Sequence, residues 1–262
     1  MNKKSNFNQI LVIIALIAVG FYLGFVFPGT KKNSGKETSN EADTTSEQST
    51  QGVSVGINQV KSAFNNAAIK FGDDSKKVIF LEISDPSCPY CQIAAGYNSE
   101  LNSQSGNFKL VKDGGTYVAP VQEMKKLVES GDAAFAMIYQ NGHGNGQMSM
   151  KALYCANEVG KFWEAKALLF SNAGYNLMNN TVKNDKTQSG VLADFLASAV
   201  DKNTMKSCLD SGKYDAQLNT DVSTANSLGV SGTPGFFVND KSYSGAYSYS
   251  DMEPVVKSAL GK

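Results

Sequence analysis

Cys88-Pro89-Tyr90-Cys91 follows a continuous apolar run, Lys77 to Ser84 (KVIFLEIS), across the turn residues Asp85-Pro86-Ser87. A run of that kind, with its β-branched residues, is expected to be a buried strand, and the stretch after it (QIAAGYNSEL) reads as helix. No other feature limits the fold as much. A C-x-x-C at a strand-to-helix junction places its first sulfur at a helix N-terminus, where unpaired N–H groups and the positive end of the dipole favour a thiolate. Pro89 fits the first helical position, where its missing N–H costs nothing. The two-residue spacing brings Cys91 back within disulfide reach of Cys88. An exposed Cys88 can then exchange with a substrate thiol while Cys91 resolves the product. Zinc binding and an inert local staple are the alternative uses of such a pair. Zinc needs four ligands, commonly from two close pairs, and the other cysteines, Cys155 and Cys208, stand singly.

Composition narrows the function classes. The 262 residues carry 24 basic and 24 acidic side chains, and all the basic ones are lysine. A neutral chain without arginine lacks the electrostatic footprint and bidentate forks of a nucleic-acid binder. Four cysteines are too few for a disulfide-framework miniprotein. A single histidine, His143, excludes any mechanism or metal site that needs two imidazoles and is expected to be exposed in its glycine-rich loop (NGHGNG). No metal site and no cofactor are expected.

The chain divides in three. After a short amino-terminal stretch, residues 1–9, Ile10 to Phe27 form an uncharged apolar run of 18 residues preceded by Lys3 and Lys4. At about 1.5 Å per residue it reaches about 27 Å, close to the hydrocarbon thickness of a bilayer. It is read as an uncleaved signal anchor with its amino-terminal side inside. A cleaved leader is the alternative, although no A-x-A-like site follows the run. Residues 28–56 are polar, rich in Ser, Thr, Glu and Asn, and cannot bury enough surface to offset ordering entropy, so they are expected to be a flexible tether. Residues 57–262 form the folded domain.

Within it, Ile57 to Phe71 reads as one amphipathic helix, and Asn102 to Val118 as a loop turning at Gly114-Gly115. Pro120 opens a helix that stops at Gly131, and Ala133 to Tyr139 is a second buried strand. A mostly helical region runs over about 148–228, with MKALYCANEVGKFWEAKALLF read as one helix whose apolar positions are Ala152, Cys155, Val159, Phe162, Trp163 and Leu169. Gly235 to Val238 is a short strand with Lys241 to Gly245 as its hairpin partner, and Ser250 to Leu260 a closing helix capped by Ser250 or Asp251. The order gives an α/β fold, a mixed sheet with a central helical insertion.

Two further features bear on the chemistry. Glu82 lies six residues before Cys88 between apolar neighbours, where a carboxylate can take the proton released as Cys91 attacks; the alternative is an edge-of-strand residue reaching solvent. Gly232-Thr233-Pro234-Gly235 opens the third strand, and proline at a strand entrance is usually trans and structural.

Together, the segments VIFLEISDPSCPYC, CANEVGKFWEAKALLF and CLDSGKYDAQLNTDVSTANSLGVSGTPGFFVN resemble, in that order, the DsbA-like branch of thioredoxin-fold thiol:disulfide oxidoreductases. The resemblance spans about residues 77–240. It implies a thioredoxin-like fold, with Cys88 as nucleophile, Cys91 as resolving thiol and Glu82 as the buried acid. It also implies a cis Pro234 facing the pair, with Thr233 pairing its backbone with a bound peptide, flanked by Pro89 and Tyr90. It implies as partners reduced or misoxidised client proteins and a membrane quinone-linked reoxidant of the DsbB/VKOR kind. The resemblance implies introduction of disulfides into extracytoplasmic proteins; the alternatives are an outward-facing reductase or isomerase of the same fold, since Pro-Tyr replaces the Pro-His of the strongly oxidising members and the Cys88 thiolate lacks one stabilising neighbour, and a non-catalytic peptide-binding module. Cys155 and Cys208 are expected to pair as a structural disulfide in an oxidising compartment, with a second redox relay as the alternative. No dedicated dimerisation segment is visible, so the chain is read as a monomer held on a bacterial cell membrane with its domain outside. The long segment 102–131 either shapes a substrate groove or is surface filler.

Overall fold

A computed structural model describes residues 55–104 and 106–262. The expected anchor at residues 10–27 and nearly all of the tether lie outside the described residues. Among those described, no helix is long and apolar enough to cross a membrane.

Helix α1 (Ile57–Asn66) leads into a short strand β1 (Ile69–Phe71). The helix expected over Ile57–Phe71 is therefore shorter than the sequence suggested. Its last three residues pair instead with β3 (Ala133–Tyr139), Phe71 opposite Phe135. Strand β2 (Val78–Ser84) runs parallel to β3 and antiparallel to β4 (Gly235–Val238), and β4 carries the edge strand β5 (Lys241–Ser244). The five-stranded sheet has the order β1-β3-β2-β4-β5.

Because side chains alternate along a strand, the two central strands divide the core. Phe80, Phe135, Met137 and Phe236 point to one face, Ile79, Leu81, Ala136 and Phe237 to the other. The second face is covered by α1 and α10 (Asp215–Ser227), whose Ala225 packs with Ile79 and Leu81. The first face carries α2 (Pro89–Ala95), α4 (Pro120–Glu129) and the closing helix α11 (Tyr249–Leu260). On the same face sits a helical block of α5 (Gln147–Glu158), α6 (Phe162–Leu169), α7 (Asn172–Leu177), α8 (Ser189–Phe195) and α9 (Lys202–Asp210). This is a thioredoxin-like α/β fold with a helical insertion. The last helix of the expected helical region, α10, belongs to the sheet's layers rather than to the block.

Glycines cut two helices that periodicity had joined. Gly96 ends α2 with φ of 72°, and a Cβ there would lie 2.4 Å from the Cβ of Ala119, so the helix expected through QIAAGYNSEL stops and α3 (Ser99–Gln104) starts anew. Gly160, at φ of 68°, separates α5 from α6, and Val159, expected on the apolar face, is 45% exposed. The closing helix is capped by Ser248, not by Ser250 or Asp251. Ser248 Oγ accepts from Ser250 N, and Asp251 reaches back to the Ser248 N–H in a capping box. A disulfide joins Cys155 on α5 to Cys208 on α9, inside the helical block.

Candidate active site

The site forms where β2 ends. β2 delivers the chain to Asp85-Pro86-Ser87, and Cys88 is the N-cap of α2 with Pro89 at its first helical positions. Cys88 is 5% exposed and Cys91 1%; both are thiols in this structure. The Cys88 Sγ–H lies 3.5 Å from the carbonyl oxygen of Thr233, the first residue of a cis Thr233–Pro234 peptide. Thr233 and Pro234 also line a recess running from Gly229 to Ser244 and Gly245. Tyr90 projects outward, half exposed.

The two sulfurs have opposite electrostatics. Hydrogen bonding from Cys91 lowers the Cys88 pKa to about 6, against the opposing effect of burial and with help from Thr233 and the first backbone N–H groups of α2. Burial, reinforced by the neighbouring Cys88, pushes Cys91 well above the ordinary thiol range. Asp85 N donates to Cys91 Sγ at 3.5 Å. One sulfur is thus suited to be a thiolate and the other to keep its proton.

Glu82 is 1% exposed, so a solvent-reaching carboxylate is excluded. It lies on the same sheet face as the cysteines and pairs with Lys166 Nζ at 2.6 Å. Lys166, from α6, is fully buried. Its Nζ touches Met137 Sδ at 3.3 Å and lies 4.7 Å from the centre of the Phe170 ring. Burial lowers the Lys166 pKa, while Glu82 and then Cys91 oppose that shift. The sequence reading missed Lys166, yet a signal was present. Lys166 stands four residues after Phe162 and three before Leu169, on the buried face of its helix.

Asp85 and the glycine-rich loop were also missed. Asp85 is fully buried, and its carboxylate accepts four hydrogen bonds. Oδ1 takes Ser87 N at 2.8 Å and Ser87 Oγ at 2.7 Å, and Oδ2 takes Gly142 N at 3.0 Å and His143 N at 2.8 Å. The NGHGNG loop therefore closes over the turn before Cys88. A Cβ on Gly146 would lie 1.8 Å from Asp85 Oδ1, and one on Gly142 1.8 Å from Thr233 Oγ1. Two of its glycines are there so that backbone can approach the Cys88 turn and the Thr233 loop together. The His143 side chain is exposed; only its backbone N–H takes part. Cys155 and Cys208 sit apart, on α5 and α9. Among the described residues, no group of three or more His, Cys, Asp or Glu side chains is placed to hold a metal ion.

Comparison with known proteins agrees with this fold. A family model described as Thioredoxin matches residues 119–258. Disulfide bond formation protein D of Bacillus subtilis is 24% identical over 196 residues, covering 72% of this chain and 75% of the relative. The crystal structure of oxidised BdbD from Bacillus subtilis superposes with a TM-score of 0.54 at 19% identity, over 76% of this chain and 95% of that one. That of alpha-DsbA1 from Wolbachia pipientis gives 0.53 at 18% identity, over 73% and 90%. At such identities the structures share the fold.

Proposed function

This chain belongs to the thioredoxin family, and from that premise we propose that it is a DsbA-like thiol:disulfide oxidoreductase that introduces disulfides into extracytoplasmic proteins through Cys88 and Cys91, tethered to the membrane by residues 10–27. The observation that carries the reading is the asymmetry of the pair. Cys88, held near a pKa of about 6 at the start of α2, faces Thr233, while Cys91 is buried behind it with a raised pKa.

The chemistry follows from that asymmetry. A reduced client lies extended along the Thr233-Pro234 edge, its backbone pairing with Thr233 and its side chains meeting Pro89 and Tyr90. A client thiolate attacks Cys88 Sγ of the oxidised pair. The Cys88–Cys91 bond breaks, a client–Cys88 bond forms, and Cys91 leaves and takes up a proton. The Glu82–Lys166 pair on the same face is the proton store for that step, and the proton returns when Cys91 attacks in the reverse direction. A second client thiolate then attacks the client sulfur of the mixed disulfide. The client disulfide forms and Cys88 leaves as a thiolate. Two electrons have passed to the Cys88–Cys91 pair, which a membrane quinone-linked thiol oxidant of the DsbB/VKOR kind restores. Cys155–Cys208 stays intact and staples the helical block.

One observation favours a second reading, an outward-facing reductase or isomerase on the same fold. Pro-Tyr offers no histidine to the thiolate. A pKa of about 6 also lies closer to the roughly 7 of thioredoxin than to the roughly 3.5 of the strong oxidant DsbA. The reduction potential of the full chain, equilibrated with glutathione couples, separates the two. A value near about −120 mV supports the oxidase, and one near about −270 mV transfers the assignment to the reductase.

A further inference from the structure

Cys88 and Thr233 come from loops 145 positions apart and meet directly where the Cys88 sulfur approaches the Thr233 carbonyl oxygen. Thr233 brings a second group to the site. Its Oγ1 is buried and finds no hydrogen-bond partner among the described residues. That hydroxyl is free to donate to a Cys88 thiolate, and Thr233 is one of the groups that hold the Cys88 pKa down. The glycine-rich loop keeps Thr233 in place. The Gly142 backbone packs so closely on it that a Cβ there would lie 1.8 Å from Thr233 Oγ1 and 2.9 Å from Thr233 Cβ.

One side chain holds that stretch of backbone in turn. Asp85 Oδ2 accepts from Gly142 N and His143 N, while Oδ1 accepts from Ser87 N and Ser87 Oγ. The Asp85 carbonyl also accepts from Cys88 N at 3.0 Å. Asp85 therefore grips the turn ahead of the nucleophile with one carboxylate oxygen and the loop behind Thr233 with the other. Asn145 N and Asn179 Nδ2 brace the same turn, through Ser87 Oγ and the Ser87 carbonyl, but neither involves Gly142. Resting on the oxidoreductase reading, we infer that Asp85 is a positioning residue for the redox reaction, which fixes Thr233 against Cys88 Sγ through the Gly142–His143 backbone. A carboxylate suits this task and an amide does not. Each oxygen takes two donors, so Asn at 85 turns an NH2 toward two of the four and leaves them unpaired in the interior. The titratable groups that face Cys88 are Cys91 on its own helix and the Tyr175 phenol on α7, and neither side chain bonds the Asp85 carboxylate. Charge and position act on Cys88 with opposite signs. Removing a negative charge nearby lowers a thiol pKa, whereas releasing Thr233 raises it.

The test follows alkylation of Cys88 by iodoacetamide between pH 4 and 9 in the full-length chain in detergent, with the site read by mass spectrometry. Asp85→Asn is expected to raise the midpoint, so that the thiolate-to-thiol ratio at pH 6 falls by about three- to tenfold, no more than one hydrogen bond to a charged group supplies. At pH 8 its equilibrium with glutathione should move toward the oxidised pair by the same factor. Gly142→Ala pushes on Thr233 from the loop side and is expected to shift the midpoint the same way. It decides the matter if Asp85→Asn does not fold, and an unmoved midpoint there overturns the inference. Asp221→Asn is the control. That carboxylate is equally buried and accepts from Tyr139 N at 2.9 Å, Tyr154 Oη at 2.5 Å and Gln217 Nε2 at 2.7 Å, none of them in the loop or the Cys88 turn. It is expected to lose stability in urea and keep the wild-type midpoint. A lowered or unmoved midpoint in Asp85→Asn, or an equal rise in Asp221→Asn, overturns the inference while leaving the oxidoreductase reading intact. A wild-type chain that does not exchange with glutathione removes that reading, and the inference with it.

Discussion

The reduction potential of the Cys88–Cys91 pair should change its pH dependence near pH 6. Below that value both thiols of the reduced pair hold their protons, so reduction takes up two protons with two electrons. Each proton shifts a two-electron potential by about 30 mV per pH unit, which gives a slope of about 59 mV. Above it Cys88 is a thiolate, because the hydrogen bond from Cys91 holds its pKa at about 6. One proton is then taken up and the slope falls to about 30 mV per pH unit. No second break follows below about pH 9, since burial keeps Cys91 protonated. The folded pKa of Cys88 lies below that of a free thiol. Its stabilisation of the reduced form is therefore complete above the ordinary thiol pKa and is lost as pH falls through about 6. At pH 7 the thiolate outnumbers the thiol by about ten to one. That favours the reduced form by about 1.4 kcal/mol, or about 30 mV, over an unperturbed thiol. The assay equilibrates the chain with glutathione couples between pH 4.5 and 8, corrects for glutathione's own titration, and reads the oxidised fraction by alkylation and mass spectrometry. A single slope of about 59 mV per pH unit through pH 8 would refute the assigned thiolate and the leaving-group logic built on it.

Two further outcomes test the surroundings of the pair. Lys166→Met leaves the Glu82 carboxylate buried without its 2.6 Å partner and is expected to cost about 3–5 kcal/mol in urea unfolding, most of which Glu82→Leu in the same chain restores; additive losses would show that the two groups do not act as a pair. Gly146→Ala pushes a methyl to within 1.8 Å of Asp85 Oδ1 and should cost about 1–3 kcal/mol, lowering Tm by roughly 2–4 °C per kcal/mol; Gly106→Ala, with nothing within 4 Å, is the control, and equal Tm values for the two variants would contradict the close packing of the loop.

Much of the sheet was legible because burial on both faces leaves a plain mark. KVIFLEIS and AAFAMIY contain so little polar surface that only a central strand accommodates them, and both are strands in the structure. The redox motif was legible for a local reason. A helix N-terminus acts on the residue beside it, so C-x-x-C after a strand places its own thiolate. Helix boundaries were less so. Ile69–Phe71 has helical periodicity with α1 but pairs with β3, because hydrogen bonds to a strand far along the chain outweigh a weak local preference. Gly96 and Gly160 end helices in left-handed turns, and at Gly96 a Cβ would also collide with Ala119; apolar spacing alone carries no sign of either.

By itself, the sequence determined what depends on neighbours along the chain: strands from apolar runs and the position of Cys88 at a helix start. Tertiary structure alone decided what depends on distance in space. Lys166 meets Glu82 across 84 positions, Thr233 meets Cys88 across 145, and the Gly142–His143 backbone closes on Asp85 across 57 and 58. Those contacts exist because the helical block, the glycine loop and the Thr233–Pro234 loop all converge at one end of β2. A one-dimensional pattern holds no record of that convergence, since burial and electrostatic coupling act between side chains that only folding brings within a few ångströms.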